Sequence, residues 1–257
     1  MEELLSREGY ALVFEDDFDG DTLNRRDWTV ELHEPGWVNE EWQRYIDSEE
    51  NIFLRDGKLH LQPVRKTLPD GSVSYTAGRI STEGKHDFTY GIFEARLRVP
   101  KGKGYLPAFW LLSVDEEGWG GWPRCGEIDI MEIMGHETDK VYGTIHYGLP
   151  HEQSQGCLTL SEGDFAEDFH DFALLWEPGR LRWYVDGRFY REARSWYSSE
   201  DDGSLRPFPA PFNHDHYIIL NLAVGNSWAG YPDETTRFDR AFEVEWVRVY
   251  QKKGGAA

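Results

Sequence analysis

Alternation of apolar and polar side chains dominates this chain. From 91 to 99 the odd positions are Gly91, Phe93, Ala95, Leu97 and Val99, and the even ones are Ile92, Glu94, Arg96 and Arg98. That is the pattern of a strand with one solvated face. After Asp56-Gly57, Leu59 and Leu61 alternate with Lys58, His60 and Gln62. Leu181, Trp183 and Val185 alternate with Arg182 and Tyr184, and then meet Asp186-Gly187 and Phe189, a two-residue hairpin signal. Phe242, Val244 and Trp246 alternate with Glu243 and Glu245. The run from Tyr217 to Val224 is apolar on both faces, as a central strand in a two-sheet stack requires, and Asn221 is its exception. No segment sustains a capped helical period; residues 162–171 could hold a helical turn.

Many short strands punctuated by Gly and Pro predict an all-β fold: a β-sandwich of the jelly-roll kind, with two curved antiparallel sheets and a concave cleft. The segments 65–77, 113–123, 149–170 and 194–215 carry the Asp, Glu, Ser, Pro and Gly of surface loops and are expected to wall that cleft. No linker or internal repeat divides the chain, so one domain is expected over 1–257, with an ordered core from about 8 to 252.

Within this strand pattern, Gly126-Glu-Ile-Asp-Ile-Met-Glu132 stands apart. Acids set among β-branched residues are costly to desolvate unless they are used. Glu127 and Asp129 share a face by alternation, whereas Glu132 is out of phase. A β-bulge near Ile130–Met131 would return Glu132 to that face, and bulges are frequent beside active sites. The row would then run long, short, long. A retaining glycosidase needs two carboxyl groups roughly 5–5.5 Å apart. Three crowded carboxyls cannot all ionise cheaply, so at least one pKa should rise toward the range of a general acid. A metal site or an acidic edge strand are the plainer readings, but hard cations favour oxygen-rich loops.

Charge narrows the substrate. The net charge of −20 argues against nucleic acid and anionic membranes, and disfavours polyanionic sugars. Cys125 and Cys157 form no C-x-x-C motif, and spacing leaves their pairing open. The acidic start, Met1-Glu-Glu-Leu-Leu, has no apolar leader core, which leaves a cytosolic protein or a mature domain without its leader. Residues 253–257 read as a disordered tail or an appended scar.

Aromatic residues crowd the acidic strand. Leu106-Pro-Ala-Phe-Trp110 and Trp119-Gly-Gly-Trp122-Pro-Arg124 precede it. Flat rings suit the C–H faces of pyranoses. Trp110 sits beside Leu111 and Leu112 and reads equally as core, whereas Trp122 lies in a Gly- and Pro-rich loop. His146 follows one hairpin later and either meets substrate or orients an acid, unless it is structural.

With these flanks the chain resembles glycoside hydrolase family 16, in particular its laminarinase branch of endo-β-1,3-glucanases. The resemblance runs nearly end to end, through Val13–Gly20, Tyr90–Arg96, Phe169–Phe172, Ile219–Gly225 and Val244–Tyr250. Within that family the six-residue Glu-x-Asp-x-x-Glu form, present here, goes with laminarinases and agarases, and the five-residue form with lichenases. The resemblance implies that Glu127 is the nucleophile, Glu132 the acid/base, and Asp129 a hydrogen-bond partner of Glu127. It also implies that Asn39, Arg79, Trp110, Trp122, His146 and Trp228 line the substrate site. Two blocks depart from the family pattern: Asn39-Glu40-Glu41 replaces Asn-Asn-Glu, and Gly225-Asn226 replaces Gly-Gly. No cofactor is expected for catalysis. A structural calcium is implied at Asp17, the Gly57 carbonyl and Glu245, where the usual Glu and Asp are exchanged. That exchange either compensates in length or abolishes the site.

The leading expectation is a retaining endo-glycosidase on neutral β-1,3-glucan such as laminarin, with mixed β-1,3/1,4 chains as further substrates. The expected protein is monomeric, extracellular by the resemblance, and free of nucleic-acid or membrane partners. Two alternatives stand beside it: an agarase-like galactan hydrolase, and a non-catalytic β-glucan-binding module.

Overall fold

Strands of period two can bury their apolar faces only against another layer, and here two sheets stack. The structure, a computed structural model, describes residues 4–254. In chain order the strands are β1 (Tyr10–Asp16), β2 (Thr29–Val30), β3 (Gln43–Tyr45), β4 (Ile52–Leu54), β5 (Leu59–Leu61), β6 (Val64–Thr67), β7 (Val73–Ala77), β8 (Arg79–Ser81) and β9 (Gly91–Arg98). They continue as β10 (Tyr105–Ser113), β11 (Glu127–Glu132), β12 (Lys140–Tyr147), β13 (Glu152–Thr159), β14 (His170–Glu177), β15 (Arg180–Val185), β16 (Arg188–Ala193), β17 (His216–Val224) and β18 (Phe242–Lys252). One sheet runs β16-β15-β14-β9-β18-β5-β4, with β1 also on β18. The other runs β13-β12-β11-β10-β17-β8-β2 and puts the acidic strand near its middle.

The core between them is rich in large rings, including Trp28, Trp176, Trp183, Phe93, Phe109 and Phe172, packed with Ile128, Ile130 and Met131 from the acidic strand. Strand β17 is buried along its whole length, as its two apolar faces predict. The Asp186-Gly187 hairpin is also present; both residues hold positive φ, 49° and 73°, the left-handed pair that such a turn needs.

Several expectations need correction. Ile92 and Glu94 do not face solvent but are buried. Leu5 and Tyr10 pack over the Ile92 cluster, and Arg7 clamps Glu94 at 2.6 Å. Alternation reports which residues share a face, not what later covers it. The segment 65–77 is largely β6 and β7, which join β3 in a small third sheet where β3 and β7 run parallel. The segment 149–170 holds β13, and no helix forms at 162–171, where residues 165–167 make a plain turn. Loop 194–215 is not part of the cleft wall. It braces loop 113–123 instead, with Arg206 donating to the Gly118 carbonyl and lying over the Trp119 ring at 4.4 Å. Both cysteines are free thiols, Cys125 buried and Cys157 exposed. Of the expected tail, 255–257 lie outside the described residues, and 253–254 close in a turn.

Candidate active site

Register makes the site. On β10, Leu112, Trp110 and Ala108 step by two along one face, and opposite them stand Glu127, Asp129 and Glu132. The acidic strand therefore spends three residues where its partner spends two, and the ladder with β12 slips at the same place, between Asp129 and Glu132. This is the expected bulge. Ile130 and Met131 turn into the core, and the three acids share the outer face. The Trp183 indole, reaching up from the opposite sheet, donates to the Asp129 carbonyl at 2.8 Å. Just before the strand, Gly126 takes φ +84°, and a Cβ there would come within 2.8 Å of Pro211. Seen from β10, the two glutamates are four strand steps apart, roughly 14 Å between Cα atoms. Side chains that lean inward would shorten that toward the separation a retaining pair needs.

The acids open into a cleft of about 700 Å³. Every substrate-site residue expected from the sequence lines it: Asn39, Arg79, Trp110, Trp122, His146 and Trp228. Trp110 is half-buried, and its Nε1–H donates to Asn221 at 2.7 Å, so the polar exception in β17 anchors the cleft floor. Asn221 in turn donates to the Tyr45 hydroxyl at 3.1 Å. Arg79 is buried against Glu31 and held between the Trp110 and Trp37 rings at 4.8 and 5.3 Å, so it shapes the wall through those rings. Trp122 is 49% exposed at the rim, and its Nε1–H donates to Glu127 at 2.8 Å.

The surroundings separate the two glutamates electrostatically. Burial, and then the charge of Asp129, push the Glu127 carboxyl up to about 8, against the pull of His146 and Trp122. Burial likewise drives Glu132 well above the usual carboxylate range, helped by Asp129 and Glu127. Its one compensating partner is the Thr144 hydroxyl at 3.4 Å. Glu127 thus has the better-supported anion and gives up its proton first. Burial opposes charge on His146, but its contact with Asp129 at 3.4 Å and the charge of Glu127 prevail and raise it to about 9.

The family model for glycosyl hydrolases family 16 matches residues 39–248. The chain belongs to glycosyl hydrolase family 16. It is 38% identical to a glucan endo-1,3-beta-glucosidase of Cryptopygus antarcticus, covering 94% of this chain and 92% of that protein. It is 34% identical to glucan endo-1,3-beta-glucosidase A1 of Niallia circulans over 95% of its own length, but spans only 38% of that longer protein. The solved endo-beta-1,3-glucanase of Pyrococcus furiosus superposes with a TM-score of 0.81 at 37% identity, covering 99% of this chain and 100% of that one.

Further residues, not singled out by the sequence, line or brace this family 16 cleft. Trp37 stacks on His33 at 3.5 Å and lines the wall. It follows Pro35-Gly36, the same loop context that singled out Trp122. His151 accepts or donates at 3.0 Å to His146 Nδ1, and Gln155 holds Thr144 at 3.1 Å. Gln155 belongs to β13, the strand hidden in what reads as a loop, and His151 immediately precedes it.

The two acids implied for calcium are ion-paired here. The Asp17 carboxylate accepts from Arg248 at 2.9 Å, and Glu245 accepts from Arg96 at 2.7 Å. A hard cation needs several free oxygens. Each carboxylate here has one oxygen engaged by a guanidinium group, which a bound cation would have to compete with.

Proposed function

We propose that this chain is a retaining endo-β-1,3-glucanase acting on laminarin-like glucans, with mixed β-1,3/1,4-glucans as further substrates. The observation that carries the reading is the bulge that brings Glu127 and Glu132 to one cleft wall with Asp129 between them. Glu127, the better-supported anion, attacks the anomeric carbon. Glu132 gives its proton to the leaving glycosidic oxygen. The resulting glycosyl ester is opened by a water that Glu132, now a base, deprotonates, and the product keeps its β configuration. Trp110, Trp122, Trp228 and Trp37 offer apolar faces to the glucosyl rings; Asn39 and His146 offer polar contacts to their hydroxyls.

Charge supports a neutral polymer. Glu31, Glu41, Glu83 and Glu116 line the cleft with the three acids of β11, against Arg79 and no lysine among the described lining residues. A sulfated galactan would meet a repulsive wall. A polysaccharide is met outside the cell, where we take the chain to act, as a monomer. No helix among the described residues is long and apolar enough to cross a membrane.

The test is digestion of laminarin, lichenan and agarose side by side. Oligosaccharides with freshly formed β-anomers are expected from laminarin, fewer from lichenan, and none from agarose. Cleavage of agarose alone would make the chain a galactan hydrolase; laminarin binding without cleavage would make it a binding module. The acid limb of kcat/KM reports ionisation of Glu127. His146 lowers and Asp129 raises that carboxyl. His146→Gln is therefore expected to move the limb to higher pH and Asp129→Asn to lower pH, each with some loss of rate. A limb that stays put in both variants would assign it to another group.

A further inference from the structure

The segment 34–42 has two working faces. It folds back on itself, with the Gly36 amide donating to the Glu41 carbonyl at 2.7 Å and the Glu41 amide to the Val38 carbonyl at 3.1 Å. One face gives Trp37, Val38 and Asn39 to the cleft. The other, with Val73 and Tyr75 of β7, forms a separate open groove of about 650 Å³ lined also by Pro35, Glu40 and Trp42. Glu41 lines both, so groove and cleft meet across a single residue.

Trp42 is 41% exposed and Val73 is 39% exposed, an apolar pair left open on a strongly acidic surface. The Trp42 ring is also held in place. Tyr231 stacks on it at 4.7 Å and Tyr75 leans on it at 5.7 Å. Its backbone amide is tied to the Val224 carbonyl at 2.9 Å. Gly225, at φ +83°, lets the rings approach, since a Cβ there would come within 3.2 Å of Trp42. An indole needed only for packing would turn its area inward; this one is held by its neighbours and still leaves 41% of its area to solvent.

We propose that this groove is a second binding site for β-glucan, taking a stretch of the neutral polysaccharide that the cleft cleaves. The proposal rests on the reading of the chain as β-glucan-active. Three observations select a sugar chain as the occupant. The groove adjoins the cleft, with Glu41 in the wall between them. It pairs aromatic side chains with the exposed Glu40 carboxylate, which can accept from sugar hydroxyls, whereas Glu41 is buried and already accepts from Gln43 at 2.6 Å. No basic residue is among its described lining, so an anionic partner is not catered for. Holding a long substrate at a second point raises its effective concentration at the acids without any new contact there.

The experiment compares Trp42→Ala and Trp42→Leu with the parent in two assays. In the first, each is combined with Glu127→Gln, and retention on insoluble linear β-1,3-glucan is measured. In the second, the otherwise unaltered enzymes hydrolyse that polymer and a β-1,3-linked tetrasaccharide. Retention is expected to weaken by roughly 2–10-fold, the worth of one aromatic platform. KM on polymer should rise by a similar factor, while kcat/KM on the tetrasaccharide stays within about twofold. Unchanged retention overturns the proposal. So does an equal loss on both substrates, which would make Trp42 a support of the cleft. So does a dimer of the parent that Trp42→Ala dissolves, since the occupant would then be a second copy. Failure of the parent to cleave either substrate is a different result and strikes the reading under Proposed function.

Discussion

Replacing Glu127 or Glu132 by glutamine is expected to lower kcat/KM on laminarin by at least about 10²-fold, toward 10⁴-fold, the usual worth of a positioned acid, base or nucleophile. The two losses should differ in kind. Without Glu127 no glycosyl ester forms, and a small anion such as azide, occupying the vacated space in Glu127→Ala, should restore cleavage and give a product of inverted configuration. Without Glu132, an aryl glucoside with an acidic leaving group needs no proton and should keep its first step. Activity like that of the parent in either glutamine variant would end the assignment. Loss of fold does not confound Glu127→Gln, because stability should move the other way. Burial and Asp129 raise Glu127 to about 8, whereas an unfolded glutamate titrates near 4.3. Between those values the native state holds a proton that the unfolded chain has released, so native stability falls as pH rises through the window. Glutamine carries no such proton. Glu127→Gln should melt higher than the parent near pH 8 and no differently near pH 4, in a calorimetric series across pH.

Trp183→Phe should be the most damaging change outside the cleft. Trp183 is fully buried between the sheets, and its indole N–H meets the Asp129 carbonyl at the register break. Phenylalanine keeps part of the packing but leaves that carbonyl without its donor, at about 1–3 kcal/mol. The lost ring volume adds roughly another 1–2 kcal/mol, below the full cost of truncation to alanine. Chemical denaturation should show a total loss of about 2–5 kcal/mol. Because the bulge aims Glu132, kcat should fall while KM changes little. Loss of stability with unchanged kcat would mean that the bulge holds its shape without the indole.

Much of the site was legible because its signals are local. The spacing of Glu127, Asp129 and Glu132 demands a bulge if all three are to share a face, and the ladder slips there. Asp186-Gly187 names its own turn. Trp122 stands five residues from the acid it touches, and His146 lies on the next strand, one hairpin away. Trp37 was legible by the rule that found Trp122 and was passed over.

Other features depend on what the chain meets after it folds. The solvated face expected for Ile92 and Glu94 is closed by Leu5, Tyr10 and Arg7 from more than eighty residues away. The two carboxylates read as calcium ligands are taken by Arg248 and Arg96, because side chains on neighbouring strands pair across the sheet wherever charges face each other. Segments that look like loops become β7 and β13, since a polar strand is stabilised by the neighbour it pairs with rather than by its own pattern. By itself, then, the sequence determined the sandwich, the acidic row and its kink, all set by side-chain period over a few residues. The tertiary structure alone decided which acid keeps its proton and which surfaces stay open, because burial, charge proximity and cover depend on partners distant along the chain.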